Sequence, residues 1–466
     1  MLSIYNLLVR IFWPLLYLYP PFRGTIAARR GYFEPEGYDP SLPGMNVLIN
    51  AVSAGEVVAI SSFIRELRQA IGECNIVLLT TTQSGRTMAQ GKLAGLVEYV
   101  AWFPLVDHPS AVTRYLDKLR PDLYITTEAE LWPNIQALCR ERGIPVCLVN
   151  GRLYLHNKTG MRKVILQQLI ELCDLIVTQD KTHWLNYIKF AIPPEKLVSS
   201  GNIKFDFELE DWGESRMATE RAAIGLGDEP VITAGSTHPG EEEVVLDCLA
   251  QVRLDSPGAR LILAPRHIER VDEVQKLCER NKLKCVKLAD VAPAPAKGKA
   301  GKGKSKKAKS GSGGKPAPGW DVLLVDRYGV LVDMYRFADV VVMGGTYNKK
   351  VGGHNILEAT VLGKPVLVGP HTFGITSQME MLRRSDAVVE AEAGQAPGRL
   401  AALMEDVDAR IRIGQRAREL TLRNRGAAQR AVDAVLDCYR RLTGDAALEG
   451  RKGTQWREQR SGGTGQ

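Results

Sequence analysis

The chain has 466 residues, 45% hydrophobic and 24% charged, which excludes a disordered or fibrous protein and leaves room for two or three packed domains. Its net charge of +8 is concentrated in eight lysines (Lys297, Lys299, Lys302, Lys304, Lys306, Lys307, Lys309 and Lys315); without them the charge is near zero, so a general nucleic-acid-binding surface is not supported. The eight cysteines are scattered, with no C-x-x-C pair, which points to reduced buried thiols and away from a zinc site or a disulfide framework.

The amino terminus, "MLSIYNLLVRIFWPLLYLYPPFRG", is apolar on nearly every face, carries Arg10 and Arg23, and has no acid before Glu34. It lacks the small-residue cleavage site of a signal peptide. About 18 apolar residues are marginal for a span, which needs roughly 20. Arg10, Trp13 and the tyrosines favour a helix in the headgroup layer over a single span or a helix docked on the protein itself. Residues 1–30 are therefore expected to be a membrane-associated segment.

From Met45 the pattern alternates. "NVLINAV" has the composition of a buried strand and "AGEVVAISSFIRELRQAI" the period of a helix; "NIVLLTTT", "VEYVAWFP", "DLYITTEAELWP", "PVCLVNG" and "LCDLIVTQD" continue the strand rhythm. The rhythm pauses through "LEDWGESRMATERAAIGLGDEP". It restarts with "VITAGST", "RLILAPRH", "KCVKL", "VLLVD", "VVVMGG" and "PVLVG". Strands separated by helical segments predict doubly wound parallel sheets. This places one α/β domain at 31–206, a linker at 207–228 and a second α/β domain at 229–445. The run "PAPAKGKAGKGKSKKAKSGSGGKPAPG", residues 293–319, lacks large apolar residues and is expected to be a disordered surface insertion, as is the tail 446–466. Ligands of such sheets bind beyond the carboxyl ends of strands, and a cleft between two domains is the default site.

Polar clusters follow several strands. "SAGE" puts Glu56 in the first turn of a helix, where the dipole stabilises a carboxylate whether or not it faces a ligand. "EAELWPN" brings Glu128 and Glu130 within two residues, a pair that repels itself unless cations or donors face it. "GNIKFD" supplies Lys204 and Asp206, a cation for a cleft or a plain salt bridge. In the second half, "AGSTHPGEEE" offers Ser236 and Thr237, ligand groups or simple helix caps. "APRH" offers Arg266, a fork-shaped donor for phosphate or carboxylate. "VGGHNILEA" places Gly352 and Gly353 before a helix start carrying Asn355 and Glu358, which suits an anion or merely a turn. Acids in one half and anion-facing groups in the other suit a transferase.

In order, "AVSAGE", "EAELWPN", "GNIKFD", "AGSTHPGEE", "LAPRHIER" and "GGHNILEA" resemble the motifs of the 3-deoxy-D-manno-octulosonic acid (Kdo) transferase family, from about Leu48 to Ala427. The resemblance implies the GT-B architecture, two facing Rossmann-like domains, here with an N-terminal apolar membrane-associated helix. It implies transfer of Kdo from CMP-Kdo to a lipid A precursor at the cytoplasmic face of the bacterial inner membrane, with no cofactor and no metal. By the same resemblance Glu56 is the general base. Glu128 or Glu130, with Lys204, stabilises the transition state. Ser236, Thr237, Pro265, Arg266 and His267 surround the CMP phosphate, Gly329, Val330 and Leu331 line the base, and Gly352, Gly353, Asn355, Ile356, Leu357 and Glu358 hold the nucleoside.

The chain departs from the family pattern in places. Leu48 and Asn50 stand where Trp and His are usual, and "RLYLHN" (Arg152 to Asn157) replaces an "RLS-x-R-S" run. Val330 stands in place of a glutamate and Gly374 in place of an asparagine. These changes bear on the acceptor side and on base recognition. Two other readings compete: another GT-B protein such as a nucleotide-sugar 2-epimerase, and a catalytically silent membrane-surface relative.

Overall fold

A computed structural model describes residues 43–104, 107–155, 160–206, 209–292 and 319–444, with a few positions between 5 and 41. The lysine-rich insertion, the tail and most of the amino-terminal segment lie outside the described residues. Two compact units result: residues 1–208 joined by 424–466, and residues 209–423.

The first unit is a seven-stranded sheet of β1 (Met45–Asn50), β2 (Cys74–Thr80), β3 (Tyr99–Trp102), β4 (Leu123–Thr127), β5 (Val146–Gly151), β6 (Leu175–Thr178) and β7 (Leu197–Ser199). Their order is β3-β2-β1-β4-β5-β6-β7, with every pairing parallel. A parallel sheet is covered on both faces, so its central strands are apolar throughout, and all six residues of β1 are buried. Alternate side chains feed two cores: Val47, Ile49, Ile76 and Leu78 on one face, and Leu48, Val77, Leu79 and Tyr124 on the other. Helix α1 (Ala54–Ile71) buries Val57, Ile60, Phe63, Ile64, Leu67 and Ile71, the three-to-four spacing of a helix with one core-facing stripe. Its start is fixed by Ser53, whose hydroxyl accepts the Glu56 N–H. Helix α2 (Pro133–Glu141) follows β4 and begins with proline, which has no N–H to leave unpaired there.

The second unit holds β8 (Val231–Thr237), β9 (Arg260–Pro265), β10 (Cys285–Lys287), β11 (Val322–Leu324), β12 (Val340–Met343), β13 (Val366–Val368) and β14 (Val389–Glu390), ordered β10-β11-β9-β8-β12-β13-β14 and all parallel.

The expected boundaries need correction at two points. Residues 209–228 are not a linker but part of the second unit. They form α3 (Glu214–Ala223); Ile224 and Leu226 enter its core, and Trp320 Nε1 donates to the Ile224 carbonyl at 2.7 Å. The chain then leaves the second unit at Arg423, not at 445. Helix α7 (Ala427–Thr443; α4 to α6 are located below) packs Ala431, Val432, Val435, Leu436 and Tyr439 into a core of the first unit. Asp206 holds the start of this helix by accepting the N–H groups of Gly426 (2.6 Å) and Ala428, and Arg430 Nε donates to the Ser200 carbonyl at 2.8 Å. A helix amphipathic in sequence must bury its stripe somewhere, and here the nearest open sheet face lies more than 200 residues earlier in the chain.

Of the amino-terminal segment only Tyr5 to Leu7, Val9 and Ile11 are described. They are helical, with Val9 buried and Leu7 and Ile11 exposed. Among the described residues no helix is long and apolar enough to cross a membrane.

Candidate active site

In the first unit the strand order reverses at β1, which pairs with β2 on one side and β4 on the other. The connections leaving β1 and β4 therefore run to opposite faces, and a crevice opens at their carboxyl ends. Glu56 stands there, on the first turn of α1 after β1. Its carboxylate accepts the Val52 N–H at 2.8 Å, the Ser53 hydroxyl at 3.1 Å and, from the end of β4, the Thr127 hydroxyl at 3.0 Å. These donors favour the charged form, yet burial, helped by the nearby Glu128 charge, leaves its pKa above the usual carboxylate value. A half-buried carboxylate held by three donors and shifted upward has the properties of a general base.

Glu128 and Glu130 are treated oppositely by their surroundings. Glu128 is 4% exposed and meets two cations, Lys204 Nζ at 2.5 Å and Arg152 Nη2 at 2.8 Å. Its backbone is left-handed (φ 55°), a conformation held by hydrogen bonds from Glu128 N to Val149 O and from Arg152 N to Glu128 O. Glu130 instead accepts Trp132 Nε1 at 3.0 Å, and its pKa is raised by burial and by the Glu56 charge. Cations face one member and a neutral donor the other, which offsets part of their repulsion; the Glu128 charge still helps to raise the Glu130 pKa.

Lys204 is aimed by a buried chain of amides. Asn202 Oδ1 accepts the Lys204 N–H at 3.0 Å, Asn202 Nδ2 donates to Gln179 at 3.3 Å, and Asn150 Oδ1 accepts the Ile203 N–H at 3.2 Å. Lys204 and Asp206 do not pair with each other: the lysine turns to Glu128 and the aspartate to the start of α7. Asp107 also escapes sequence reasoning. It anchors α2 by accepting the Asn134 and Ile135 N–H groups at 2.6 and 3.0 Å, and burial pushes its pKa up to about 7. Asn50, where the family has histidine, is fully buried; among the described residues neither atom of its amide has a partner.

The second unit repeats the arrangement with the opposite charge. Its strand order reverses at β8, between β9 and β12. Strand β8 ends with Ser236 (φ 59°) and Thr237 and is followed by His238, and beyond β9 lie Arg266, half-buried, and His267, exposed. The β12 loop carries Gly345 to Ile356 and enters α6 (Leu357–Thr360). His238 Nε2 and His354 Nε2 approach to 2.8 Å with their rings 6° from parallel, and the His267 ring stands edge-on to His238 at 5.8 Å. Burial, then the neighbouring imidazoles and Arg266, lower the pKa of both: His354 falls from 6.5 to about 3 and His238 shifts in the same direction.

Two carboxylates at the start of α4 (Glu241–Val252) are fully engaged. Glu241 accepts the N–H groups of His238, Gly345 and Tyr347 at 2.8, 2.7 and 2.8 Å and so ties the β8 and β12 loops together. Glu242 accepts Arg270 at 2.8 Å and the Thr237 hydroxyl at 2.9 Å. Thr237 is therefore buried and turned inward, neither a helix cap nor an open phosphate donor; the cap position of α4 is Gly240. Pro265 is buried at the end of β9, while Gly329 and Val330 precede α5 (Leu331–Phe337), whose first residue is Leu331.

Helix α6 starts at Leu357, two residues later than an opening at Asn355 would have it. Asn355 and Glu358 nevertheless meet, Nδ2 to Oε1 at 3.1 Å. Gly352 and Gly353 have φ of 78° and 99°, and a Cβ on either would lie within 3 Å of Phe373 or Ile375. Only glycine fits this bend.

Two α/β units with ligand-type groups at the switch point of each define a GT-B-like protein. The likeness extends to solved structures: UDP-GlcNAc 2-epimerase from Neisseria meningitidis (TM-score 0.55, 16% identity, 84% of this chain and 100% of that one) and a glycosyltransferase from Rickettsia africae (TM-score 0.57, 11% identity, 86% and 99%). At these identities they speak for the fold alone.

Sequence comparison is narrower. Residues 25–207 match the family model of 3-deoxy-D-manno-octulosonic-acid transferase (kdotransferase). The 3-deoxy-D-manno-octulosonic acid transferase of Haemophilus influenzae is 30% identical over 420 residues, 89% of this chain and 92% of that protein. The enzyme of the same description from Bordetella pertussis is 27% identical over 457 residues, 93% and 99%. The chain belongs to the Kdo transferase family and is a glycosyltransferase.

Proposed function

We propose that the protein moves Kdo from CMP-Kdo to a sugar hydroxyl of a lipid A precursor, with inversion at the anomeric carbon, in the synthesis of the lipopolysaccharide inner core. Family membership supports Kdo transfer. The observation that carries the mechanism is Glu56, a carboxylate of raised pKa held by three donors at the switch point of the first sheet. It takes the proton of the acceptor hydroxyl as that oxygen attacks the anomeric carbon. The bond from that carbon to the phosphate breaks, and its electron pair leaves on CMP.

Glu128 keeps Lys204 and Arg152 extended at the same edge, so two cations stand ready for the negative charge that develops there. The second unit supplies the nucleotide site: Arg266, His267 and Ser236 for the phosphate, and Asn355 with Glu358 for the nucleoside. No metal has a part in this mechanism. The acceptor is lipid-linked, and the amino-terminal segment brings the enzyme to the cytoplasmic face of the inner membrane. The exposed Leu7 and Ile11, on the side opposite buried Val9, support an apolar face available to lipid.

Transfer from freshly generated CMP-Kdo to a tetraacylated lipid A precursor, resolved by mass spectrometry, tests the reading. A product heavier by one or more Kdo units is expected. CMP-Kdo consumption independent of acceptor would reject it in favour of a different reaction on the same fold.

A further inference from the structure

The second unit holds a cluster of cationic and imidazole groups with no carboxylate left to balance it. The Arg266 backbone N–H donates to the Thr237 carbonyl at 2.9 Å, but its guanidinium makes no hydrogen bond or ion pair among the described residues. Beside it are His267, from the same β9 loop, and the His238–His354 pair, which joins the β8 and β12 loops across the switch point. Arg270 also faces His238 but is spent on Glu242 and Glu273. Glu241 is spent on three backbone N–H groups. A site with one unpartnered guanidinium, three imidazoles and its neighbouring acids Glu241 and Glu242 both occupied is complementary to an anion from outside the chain.

The pair itself constrains the proton count. Two Nε2 atoms at 2.8 Å hold one proton between them, one ring donating and the other accepting. Two imidazolium rings there would place like charges and two N–H groups against each other. Burial and the neighbouring cations keep the pair neutral in the empty site at neutral pH. A dianion reverses that environment, because an opposite charge within about 4–6 Å favours the protonated imidazole.

We infer that His238 and His354 form a proton-linked site for a phosphate monoester dianion: neutral and bonded to each other when empty, the pair takes one proton from solvent when such a dianion sits against Arg266 and His267. The inference rests on the nucleotide reading of this unit given above. Its consequence for the reaction lies in the charge of the two ligands. The phosphate of the donor is a phosphodiester monoanion. When the bond to the anomeric carbon breaks, the electron pair stays on the phosphate oxygen and the departing CMP becomes a dianion. The proton taken up balances that added charge, so the site grips product more firmly at lower pH and treats the donor as nearly independent of pH.

Calorimetry of CMP and of the methyl ester of CMP, from pH 6.5 to 8 in buffers of different ionisation enthalpy, separates the two ligands. CMP is expected to take up close to one proton and to tighten up to about tenfold per pH unit as pH falls, while the monoanionic ester takes up none. The window stays above the second ionisation of a phosphate monoester, at about 6. In His354→Gln, and independently in His238→Gln, the uptake on CMP binding should vanish while CMP still binds at pH 8. Absence of uptake in the wild type would overturn the inference, and so would uptake as large as the wild type's in both variants, which would assign the proton to His267 or to the phosphate. Failure of the wild-type protein to bind CMP at all would instead reject the nucleotide reading of the unit. Should one variant fail to fold by circular dichroism, the other gives the same answer.

Discussion

The two units share a plan and differ in the sign of what they present. Each is a seven-stranded parallel sheet with a crevice where the strand order reverses. In the first unit that crevice is lined by Glu56, Glu128 and Glu130; in the second it is lined by Arg266, His238, His267 and His354. The sheet decides where side chains can converge, and the short loops after β1, β4, β8, β9 and β12 decide the chemistry. The supporting parts invert as well. In the first unit two cations serve to hold a buried carboxylate, and in the second two buried carboxylates serve to hold the loops that carry the imidazoles.

The largest effect that would break this comparison is at Glu56. Glu56→Gln keeps the size of the side chain and removes the base, so transfer should fall by about 10²–10⁴-fold. CMP affinity, a property of the other unit, should stay within about twofold by calorimetry. Loss of CMP binding in this variant would mean that the division of labour between the units is wrong.

A smaller effect sharpens the role of the carboxylate's donors. The base works when ionised, and its pKa is raised by burial, so the transfer rate should climb with pH through that raised value and level off above it. Thr127→Val removes a donor to the charged form. It should move the acid limb of the pH–rate profile upward by about one unit, the equivalent of about 1.4 kcal/mol. An unmoved or downward-shifted limb would show that Glu56 does not set it.

The smallest effect concerns the second unit. The pKa of His354 is about 3 in the folded chain against 6.5 for the ordinary group, so between these values the unfolded chain binds the extra proton. Stability from this group is present in full above pH 6.5 and is lost as pH falls toward 3, with a slope of at most about 1.4 kcal/mol per pH unit. Urea unfolding of the second unit between pH 7 and 5 should show this slope, and His354→Gln should flatten it. A variant with the wild-type slope would remove His354 from the account.

Much of the fold was legible because a strand buried on both faces writes a continuous apolar run, and "NVLIN", "VCLVNG" and "VVVM" do so. Strands β7 and β14 left no such trace. They have three and two residues and lie at sheet edges, where all their side chains except that of Leu197 are exposed or half-exposed. Helix α1 was readable to its ends, since Ser53, an acidic first turn and a three-to-four stripe all agree.

The candidate site was legible where one loop carries its own signal, as at "SAGE", "ELWPN" and "GGHN". Arg152, Thr127, His238 and His354 were not singled out for the parts they take here, because each matters through a partner from another loop. The turn of Thr237 toward Glu242 was hidden for the same reason.

By itself, then, the sequence determined the two parallel sheets, the polar residues at their carboxyl ends and the family, since these follow from local hydrophobic period and motif order. Tertiary structure alone decided which unit the last helix completes and which carboxylate receives the cations. It also decided that two imidazoles meet, Nε2 to Nε2, at 2.8 Å. Those outcomes depend on which groups meet across long stretches of chain, and burial and Coulomb energy act on distance in space, to which separation along the sequence is no guide.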